Sequence, residues 1–323
     1  MSLKVKYLGL ELDNPVIVAS SPFTASVDKI IQLEQHGAGA AVLKSVFEEQ
    51  IMGEAAYLER YNDHPQARDY LRGYIGGDYI AGHLNMISEA KKQVRMPLIA
   101  SINCQHSGSW IDYAKSIEDA GADALELNIF FLPTSADEKS EEVEERYLDI
   151  VSGVAEKLTI PVSVKLGVRF TNVLSICRGI YYRGGKGVVM FNRFFEPDID
   201  VDTMSVTGSD VLSSQSELRN NLRWVAMASA EVPTMDIAVT TGVHTGEDAV
   251  KSILSGAKAV EVCSTLYANG LDAIGQMKDY IAKWMYDHNF ESIADFSGKL
   301  NYKGVDEPEI FQRAQFMKFF PKG

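Results

Sequence analysis

The chain has 323 residues, of which 46% are hydrophobic and 23% charged, a composition typical of a globular protein with a large core. Its formal net charge of -13 at pH 7 argues against binding to nucleic acid or to an anionic membrane surface, because both require clustered Lys and Arg. No apolar run reaches the roughly 18 residues of a membrane span. A small anionic ligand stays compatible with this charge if a local positive site holds it.

The N-terminal stretch MSLKVKYLGLELDNP lacks the apolar core and cleavage site of a signal peptide. The three cysteines, Cys104, Cys177 and Cys263, cannot all pair, and no CxxC motif occurs. This pattern favours a reducing compartment, so we expect a cytoplasmic protein without a disulfide framework. No His/Cys/Asp cluster has the spacing of a metal site, and no metal is predicted.

Eight short apolar runs without strict polar alternation alternate with helical stretches, as expected for parallel strands buried on both faces. The candidate strands are Val16–Ala19, Ala41–Leu43, Leu98–Ser101, Ala124–Leu127, Val162–Lys165, Val188–Met190, Ile237–Val239 and Ala259–Val262. Eight such βα units predict a (β/α)8 TIM barrel of the α/β class.

The stretches between the strands show helical features. Val143, Tyr147, Ile150, Val151, Val154 and Leu158 form one apolar stripe, which indicates a helix packed on the core. The repeated phrases HGAGAAVLK, AGADALELN and SGAKAVEV each place a Gly just before a strand. There a left-handed residue ends the preceding helix, so these phrases are structural turns.

We expect one domain over residues 1–323, because no low-complexity linker or second core is visible. The longest interruption, an insertion at about 45–96, follows the second strand. It contains GYIGGDYIAGH, which we interpret as a helix plus a rim loop over the site, with a small β-hairpin as the alternative.

Function in such barrels gathers at the carboxyl ends of the strands. Four polar residues stand at four predicted strand ends: Lys44, Asn128, Lys165 and Asn192. A lone Lys at a strand end is usually just solvated, but two Lys and two Asn together favour a binding site for a polar ligand.

A phosphate site is indicated by VTTGVHTGEDAV, which runs from the seventh strand through a Gly turn into a helix. Thr245 and Asp248 have the spacing of a capping box, which alone predicts only a capped helix. Barrels often bind phosphate near strands 7 and 8, where free backbone N–H groups favour an anion. Cys263 and Ser264, after the eighth strand, supply the second edge of this predicted site.

These residues resemble the dihydroorotate dehydrogenase family, flavoprotein barrels that bind FMN. The similar pieces span nearly the whole chain: LELDNPVIVASS, LKS, LELN, VSVKL, TGVHTGEDA and SIADFSGKL. The last piece resembles the soluble class 1 branch, and the absence of an N-terminal membrane helix agrees with that branch. The resemblance implies FMN, a small anionic substrate with dihydroorotate as the family default, a role in pyrimidine biosynthesis, and a homodimer.

The resemblance also implies roles for individual residues. Lys44, Asn128 and Asn192 are expected to bind substrate, and Lys165 to approach the N1/C2 edge of the flavin, where a cation stabilises the reduced form. The full expected set of cofactor contacts is Ala19, Ser20, Lys44, Ser45, Asn128, Lys165, Asn192, Ser214, Thr241, Gly242, Cys263 and Ser264.

The chain departs from the family pattern where a proton must be removed. The family reads Asn-Leu-Ser-Cys-Pro-Asn after strand 4, and this chain reads Asn-Ile-Phe-Phe-Leu-Pro, so the general base falls on Phe131 and a substrate Asn on Pro133. Cys104 is the best-placed alternative base, although a free Cys is commonly a small buried hydrophobe.

Two other functions stay open at this point. The chain is a non-redox barrel enzyme if Lys165 or Lys44 forms a Schiff base with a phosphorylated substrate. It is a flavin-binding protein without turnover if Phe130 and Phe131 fill the substrate space.

Overall fold

The computed structural model of the protein describes residues 1–52, 77–105, 108 and 110–313. The strands, in chain order, are β1 (Val5–Tyr7), β2 (Leu10–Leu12), β3 (Val16–Val18), β4 (Ala40–Val42), β5 (Val46–Phe47), β6 (Leu98–Cys104), β7 (Ala124–Ile129), β8 (Val162–Leu166), β9 (Gly187–Met190), β10 (Pro197–Asp200), β11 (Ser205–Gly208), β12 (Asp236–Thr240) and β13 (Ala259–Val262). The α-helices are α1 (Val27–Gln35), α2 (Glu48–Met52), α3 (Gly77–Gln93), α4 (Trp110–Asp119), α5 (Ser140–Ala155), α6 (Val173–Tyr182), α7 (Leu218–Glu231), α8 (Gly246–Leu254), α9 (Ser264–Asn269) and α10 (Asp272–Asp287).

Eight parallel strands close into a barrel in the order β3, β4, β6, β7, β8, β9, β12 and β13. The ring closes because β13 pairs with β3, with Val260 opposite Val16. Helices lie between successive strands and cover the outer face, so the strands are buried almost throughout. The predicted (β/α)8 barrel is confirmed, and each of the eight predicted strands is present.

The helices use the features that the sequence predicted. The apolar stripe of α5 is buried through Tyr147, Ile150, Val151 and Val154. The glycines that end three helices have positive φ angles: Gly37 at 83°, Gly121 at 101° and Gly256 at 116°. Both predictions are therefore confirmed.

The floor of the barrel is closed by the antiparallel hairpin of β1 and β2, which the sequence did not reveal. The Leu8 amide donates to Asp236 Oδ2 at 2.7 Å, and Asp236 is the first residue of β12, at its amino end. Tyr7 is fully buried. This end of the barrel is therefore plugged, and the carboxyl ends of the strands are left to form the site.

The insertion after the second strand is described only in part. Its beginning forms β5, which pairs with β6, and then α2. Its end forms α3, so GYIGGDYIAGH is helical from Gly77 onward. The rest of the predicted rim loop, residues 53–76, lies outside the described residues.

A second unpredicted hairpin, β10 and β11, follows β9. Its two strands are solvent-exposed along most of their length, unlike the barrel strands. Within the described ranges, no helix is both long and apolar enough to cross a membrane.

Gly39, between α1 and β4, allows a test of how tightly the barrel is packed. A Cβ added at Gly39 would lie 2.1 Å from the carbonyl oxygen of Asn14, so we expect Gly39→Ala to lower the free energy of unfolding by more than about 2 kcal/mol. The matched control is Gly275→Ala in α10, where a Cβ meets nothing within 4 Å. That change should stabilise the protein by about 0.5–1 kcal/mol. Urea denaturation measures both, and equal effects of the two variants would contradict the packing argument.

Candidate functional site

Strand register brings the predicted amides and Lys165 together at the mouth of the barrel. Asn128 of β7 lies directly opposite Lys165 of β8. Asn192 follows β9, and its Nδ2 donates to Asn128 Oδ1 at 2.9 Å. Each amide keeps further donor or acceptor capacity for a ligand. Three of the four predicted strand-end residues therefore share one polar patch.

A chain of three serine hydroxyls lies on the β3–β4–β6 side of the mouth. Ser20 Oγ and Ser45 Oγ are 3.0 Å apart, and Ser45 Oγ and Ser101 Oγ are 2.8 Å apart. The sequence reasoning missed Ser101, which lies within β6 rather than at a strand end. These hydrogen-bonded serines hold the end of β4 in place next to Lys44. Their hydroxyl groups can still rotate toward a ligand.

Lys44 is a half-buried cation without an ion-pair partner among the described residues. Its amino group lies 5.6 Å from the centre of the Phe47 ring. Burial lowers the pKa of the Lys44 amino group, because desolvation disfavours the charged form. A bound carboxylate or other anion would compensate this cost.

A cavity of about 160 Å³ opens between the mouth and the ends of β12 and β13. Its walls include Ala19, Lys165, Asn192, Ser213, Gly242 and Ser264. Arg193 donates to the Val211 carbonyl at 3.0 Å and pairs with Glu217 at 3.3 Å, which ties the segment before α7 over this cavity.

The turn after β12 is built as the sequence predicted. Thr245 caps α8 in a capping box with Asp248. Gly242 has φ 86°, and a Cβ there would lie 2.4 Å from the Leu218 nitrogen, so the turn requires glycine. Thr241 also has a positive φ, of 65°.

Ser213, rather than Ser214, faces this turn. Its Oγ accepts from the Gly242 amide at 3.3 Å and lies 3.2 Å from His244 Nε2, while its amide donates to Ser264 Oγ at 3.0 Å. The Ser214 hydroxyl instead lies 2.7 Å from Ser216 Oγ, in the 3₁₀ turn Gln215–Glu217. Ser213 therefore links Gly242 and Ser264, two of the residues that are expected to hold the phosphate.

The two phenylalanines after Asn128 pack against different elements. The Phe131 ring makes an edge contact with Tyr147 of α5 at 5.1 Å, and Arg146 lies 5.8 Å from its centre. Phe130 packs on Phe194 at 4.4 Å between ring centres. Neither ring can take a proton, and Phe131, where the resemblance places the general base, instead makes an aromatic contact with helix α5.

Cys104, the alternative base, is fully buried. Burial raises the pKa of its thiol well above the usual value, and the carboxylates of Glu48 and Glu49 raise it further. The thiol therefore stays protonated near neutral pH and is a poor proton acceptor. His83 is buried in α3, with Nδ1 2.7 Å from the Tyr113 hydroxyl, and burial lowers its pKa to about 4. His106 lies outside the described residues.

Lys165 is buried between two glutamates that the sequence reasoning missed. Its Nζ lies 2.9 Å from Glu261 Oε2 and 3.5 Å from Glu126 Oε1. Burial alone would lower the pKa of Lys165, but the two carboxylates outweigh burial and raise it. A permanently protonated amine cannot attack a carbonyl, which argues against Lys165 as a Schiff-base residue. The missed signal was an acid in the middle of each of two buried strands, in ALELN and AVEV.

The model of the family described as dihydroorotate dehydrogenase matches residues 2–285. The chain belongs to the dihydroorotate dehydrogenase family. The predicted resemblance and the oxidoreductase class are therefore confirmed at the level of the family. In the described part of the chain, no group of three His, Cys, Asp or Glu side chains could hold a metal ion.

Similar curated proteins cover nearly the full length. The chain is 25% identical over 307 residues to the dihydroorotate dehydrogenase B (NAD(+)) catalytic subunit of Thermoplasma acidophilum, covering 92% of this chain and 98% of that one. It is 29% identical to a putative dihydroorotate dehydrogenase A (fumarate) of Aeropyrum pernix, covering 92% and 96%. A dihydroorotate dehydrogenase A (fumarate) of Lactobacillus helveticus is 25% identical, covering 91% and 97%.

The different burial of the three cysteine thiols predicts the order in which they react with an alkylating reagent. Cys263 is half-buried, whereas Cys104 and Cys177 are buried, and burial raises the pKa of all three thiols. We expect iodoacetamide at pH 8 to label Cys263 in the folded protein at least about ten times faster than Cys104. Peptide mass spectrometry measures this, with Cys263→Ser as the control that should remove native-state labelling. Rapid labelling of Cys104 would restore it as a candidate base.

Proposed function

We propose that the protein is an FMN-dependent oxidoreductase that acts on a CH–CH bond of a small anionic compound, with dihydroorotate to orotate, in pyrimidine biosynthesis, as the family default. The observation that carries this proposal is the convergence of Lys165, Asn128 and Asn192 on one mouth, beside Lys44, a cation without an ion-pair partner among the described residues. The curated relatives named above support the choice of dihydroorotate.

The donor set fits FMN. The polar edge of a flavin needs hydrogen-bond donors, and Lys165 with the serine chain at Ser20 and Ser45 supplies them. Its phosphate needs small residues and N–H donors, and the Gly242 turn offers the Gly242 amide, which donates to the Ser213 hydroxyl in this structure. The proposed contacts are Ala19, Ser20, Lys44, Ser45, Asn128, Lys165, Asn192, Thr241, Gly242, Cys263 and Ser264, with Ser213 in the place where Ser214 was expected.

When bound, FMN supplies the hydride acceptor. Lys44 attracts the carboxylate of the substrate, and Asn128 with Asn192 fixes its orientation through the amide groups. We assign removal of the substrate proton to no side chain of the described mouth. Phe131 contacts α5, and the Cys104 thiol is buried and protonated. Loss of a positioned base lowers a rate by about 10²–10⁴, so dihydroorotate should react slowly unless water serves as the base.

The first test is the visible absorption of the purified protein, loaded with FMN, during titration with orotate. We expect a flavin spectrum that orotate perturbs, and a roughly 10–100-fold weaker orotate affinity in Lys44→Gln, because a charge-assisted contact is lost. Lys29→Gln on α1, whose Nζ donates to the Pro22 carbonyl, is the matched control and should bind orotate normally.

The outcomes of this titration separate the possible functions. Slow anaerobic bleaching by dihydroorotate would support turnover without a side-chain base. A flavin that binds orotate but is never reduced would favour a protein without turnover, consistent with the Phe130–Phe194 contact at the mouth. Failure to bind FMN would overturn the proposal.

We further propose that the protein is a homodimer, with the β10–β11 hairpin as a contact. Ile199 and Val206 face each other across its strands and are 69% and 76% exposed, and Met204 in its turn is 88% exposed. An isolated hairpin is marginally stable in water, and an exposed apolar cluster favours a protein contact.

The dimer proposal is tested by Val206→Asp, which places a charge in the proposed contact. We expect sedimentation equilibrium to show a dimer dissociation constant weakened by about tenfold or more. Tyr182→Asp is the control, since Tyr182 on α6 is equally exposed, at 77%, but lies outside the hairpin. A dimer unaffected by both changes would place the interface elsewhere.

We also propose a cytoplasmic location. The support is that all three cysteines are free, as expected in a reducing compartment.

A further inference from the structure

The interior of the barrel holds three ionisable side chains in direct contact. Glu126 of β7, Lys165 of β8 and Glu261 of β13 all point inward, and their side chains are 1%, 9% and 0% exposed. Lys165 bridges the two carboxyl groups at 3.5 Å and 2.9 Å. The cluster lies directly beneath the proposed flavin position, because Lys165 also lines the cavity at the mouth.

Full ionisation would leave this cluster with one excess negative charge in the buried interior of the barrel. An unpaired buried charge costs several kcal/mol, so one group is expected to change protonation instead. Among the described residues, one buried oxygen of each carboxyl group has no hydrogen-bond partner: Glu126 Oε2 and Glu261 Oε1. The side chains of Glu126 and Glu261 are also hydrogen-bond partners, so a proton held on one carboxyl group can be donated to the other.

The surroundings favour Glu126 as the group that holds this proton. Burial raises the pKa of Glu126, and the charge of Glu261 raises it further, against the opposing charge of Lys165. Lys165 itself stays protonated, because the carboxylates outweigh the effect of its burial.

The other titratable groups near the cluster do not supply a compensating charge. Tyr7 from β1 lies below it, and burial together with the charges of Glu261 and Glu126 raises its pKa, so the phenol is neutral. Cys263 lies above, and burial raises the pKa of its thiol despite the charge of Lys165. Asp236, at the floor, is bound by the Leu8 amide. Within the described residues, Lys165 is therefore the cation of this cluster.

We propose that Glu126, Lys165 and Glu261 form an electroneutral triad in which the two carboxyl groups share one proton. Lys165 then faces the mouth as a hydrogen-bond donor of a neutral cluster, and not as a net positive charge. Glu126 and Glu261 are positioning residues that hold its amino group. The effect on the cofactor rests on the proposed function, whereas the shared proton does not.

The triad assigns different tasks to the two lysines of the site. Lys44, without a carboxylate partner among the described residues, is the cation that attracts an anionic substrate. Lys165 orients the flavin ring by donating a hydrogen bond to its edge. Its positive charge is cancelled by its carboxylate partner and so does not stabilise a reduced cofactor.

The shared proton is tested first in protein without flavin. Infrared difference spectra at pH 7 between the wild type and Glu126→Gln, and between the wild type and Glu261→Gln, should each show loss of one protonated-carboxyl C=O band. In either variant the remaining carboxyl group ionises against Lys165, so the band disappears in both. If neither variant loses the band, both carboxyl groups are ionised and the proposal is overturned.

Sulfite binding to the FMN-loaded protein tests the net charge of the Glu126–Lys165–Glu261 triad. The flavin–sulfite adduct carries negative charge, so its affinity reports net positive charge at the ring edge. We expect both single variants to bind sulfite within about twofold of the wild type, because the cluster stays neutral. If the wild-type cluster were instead negative, each variant would remove one negative charge and bind sulfite about tenfold more tightly, which would refute the triad.

The double variant E126Q/E261Q is the positive control for the sulfite measurement. It leaves Lys165 without a carboxylate and should bind sulfite about tenfold more tightly. If the double variant does not fold, the comparison of the single variants still decides the question. A protein that shows the infrared change but binds no FMN would refute the proposed function and leave the triad standing.

Discussion

Closure of the barrel is the constraint on which the site depends. Once β13 pairs with β3, each strand must send alternate side chains into the confined interior of the barrel. On β7 this alternation places Glu126 and Asn128 on the same inner face, one above the other. The register with β8 then sets Lys165 opposite Asn128. The chemistry of the mouth therefore follows from hydrogen-bond register as much as from residue identity.

The amino-acid sequence predicted what depends on local pattern. Buried parallel strands are continuous apolar runs, so all eight were visible, and the residues at their ends, such as Lys44 and Asn192, followed directly. The left-handed glycines and the capping box at Thr245 are equally local. These features required no knowledge of which strands are neighbours.

What the sequence could not predict depends on contacts between distant segments. Glu126 and Glu261 are 135 positions apart, and only the closed ring brings both to Lys165. Ser213, next to the predicted Ser214, is the serine that bonds to Ser264, because adjacent residues of a turn direct their side chains differently. The orientation of Phe131 toward α5 depends on Tyr147, which lies on a separate helix. Each of these features needs tertiary geometry.

The hydrogen bond from Leu8 to Asp236 spans 228 positions, so the first hairpin acquires its anchor only after most of the chain exists. During synthesis, residues 1–12 must wait while the strands assemble, since the ring that they plug is incomplete until β12 and β13 emerge. Contacts of such long sequence separation carry a large loop-closure entropy. The hairpin that covers the barrel floor therefore depends on a strand that is synthesised more than 200 positions later, because its anchor, Asp236, is 228 positions away from Leu8.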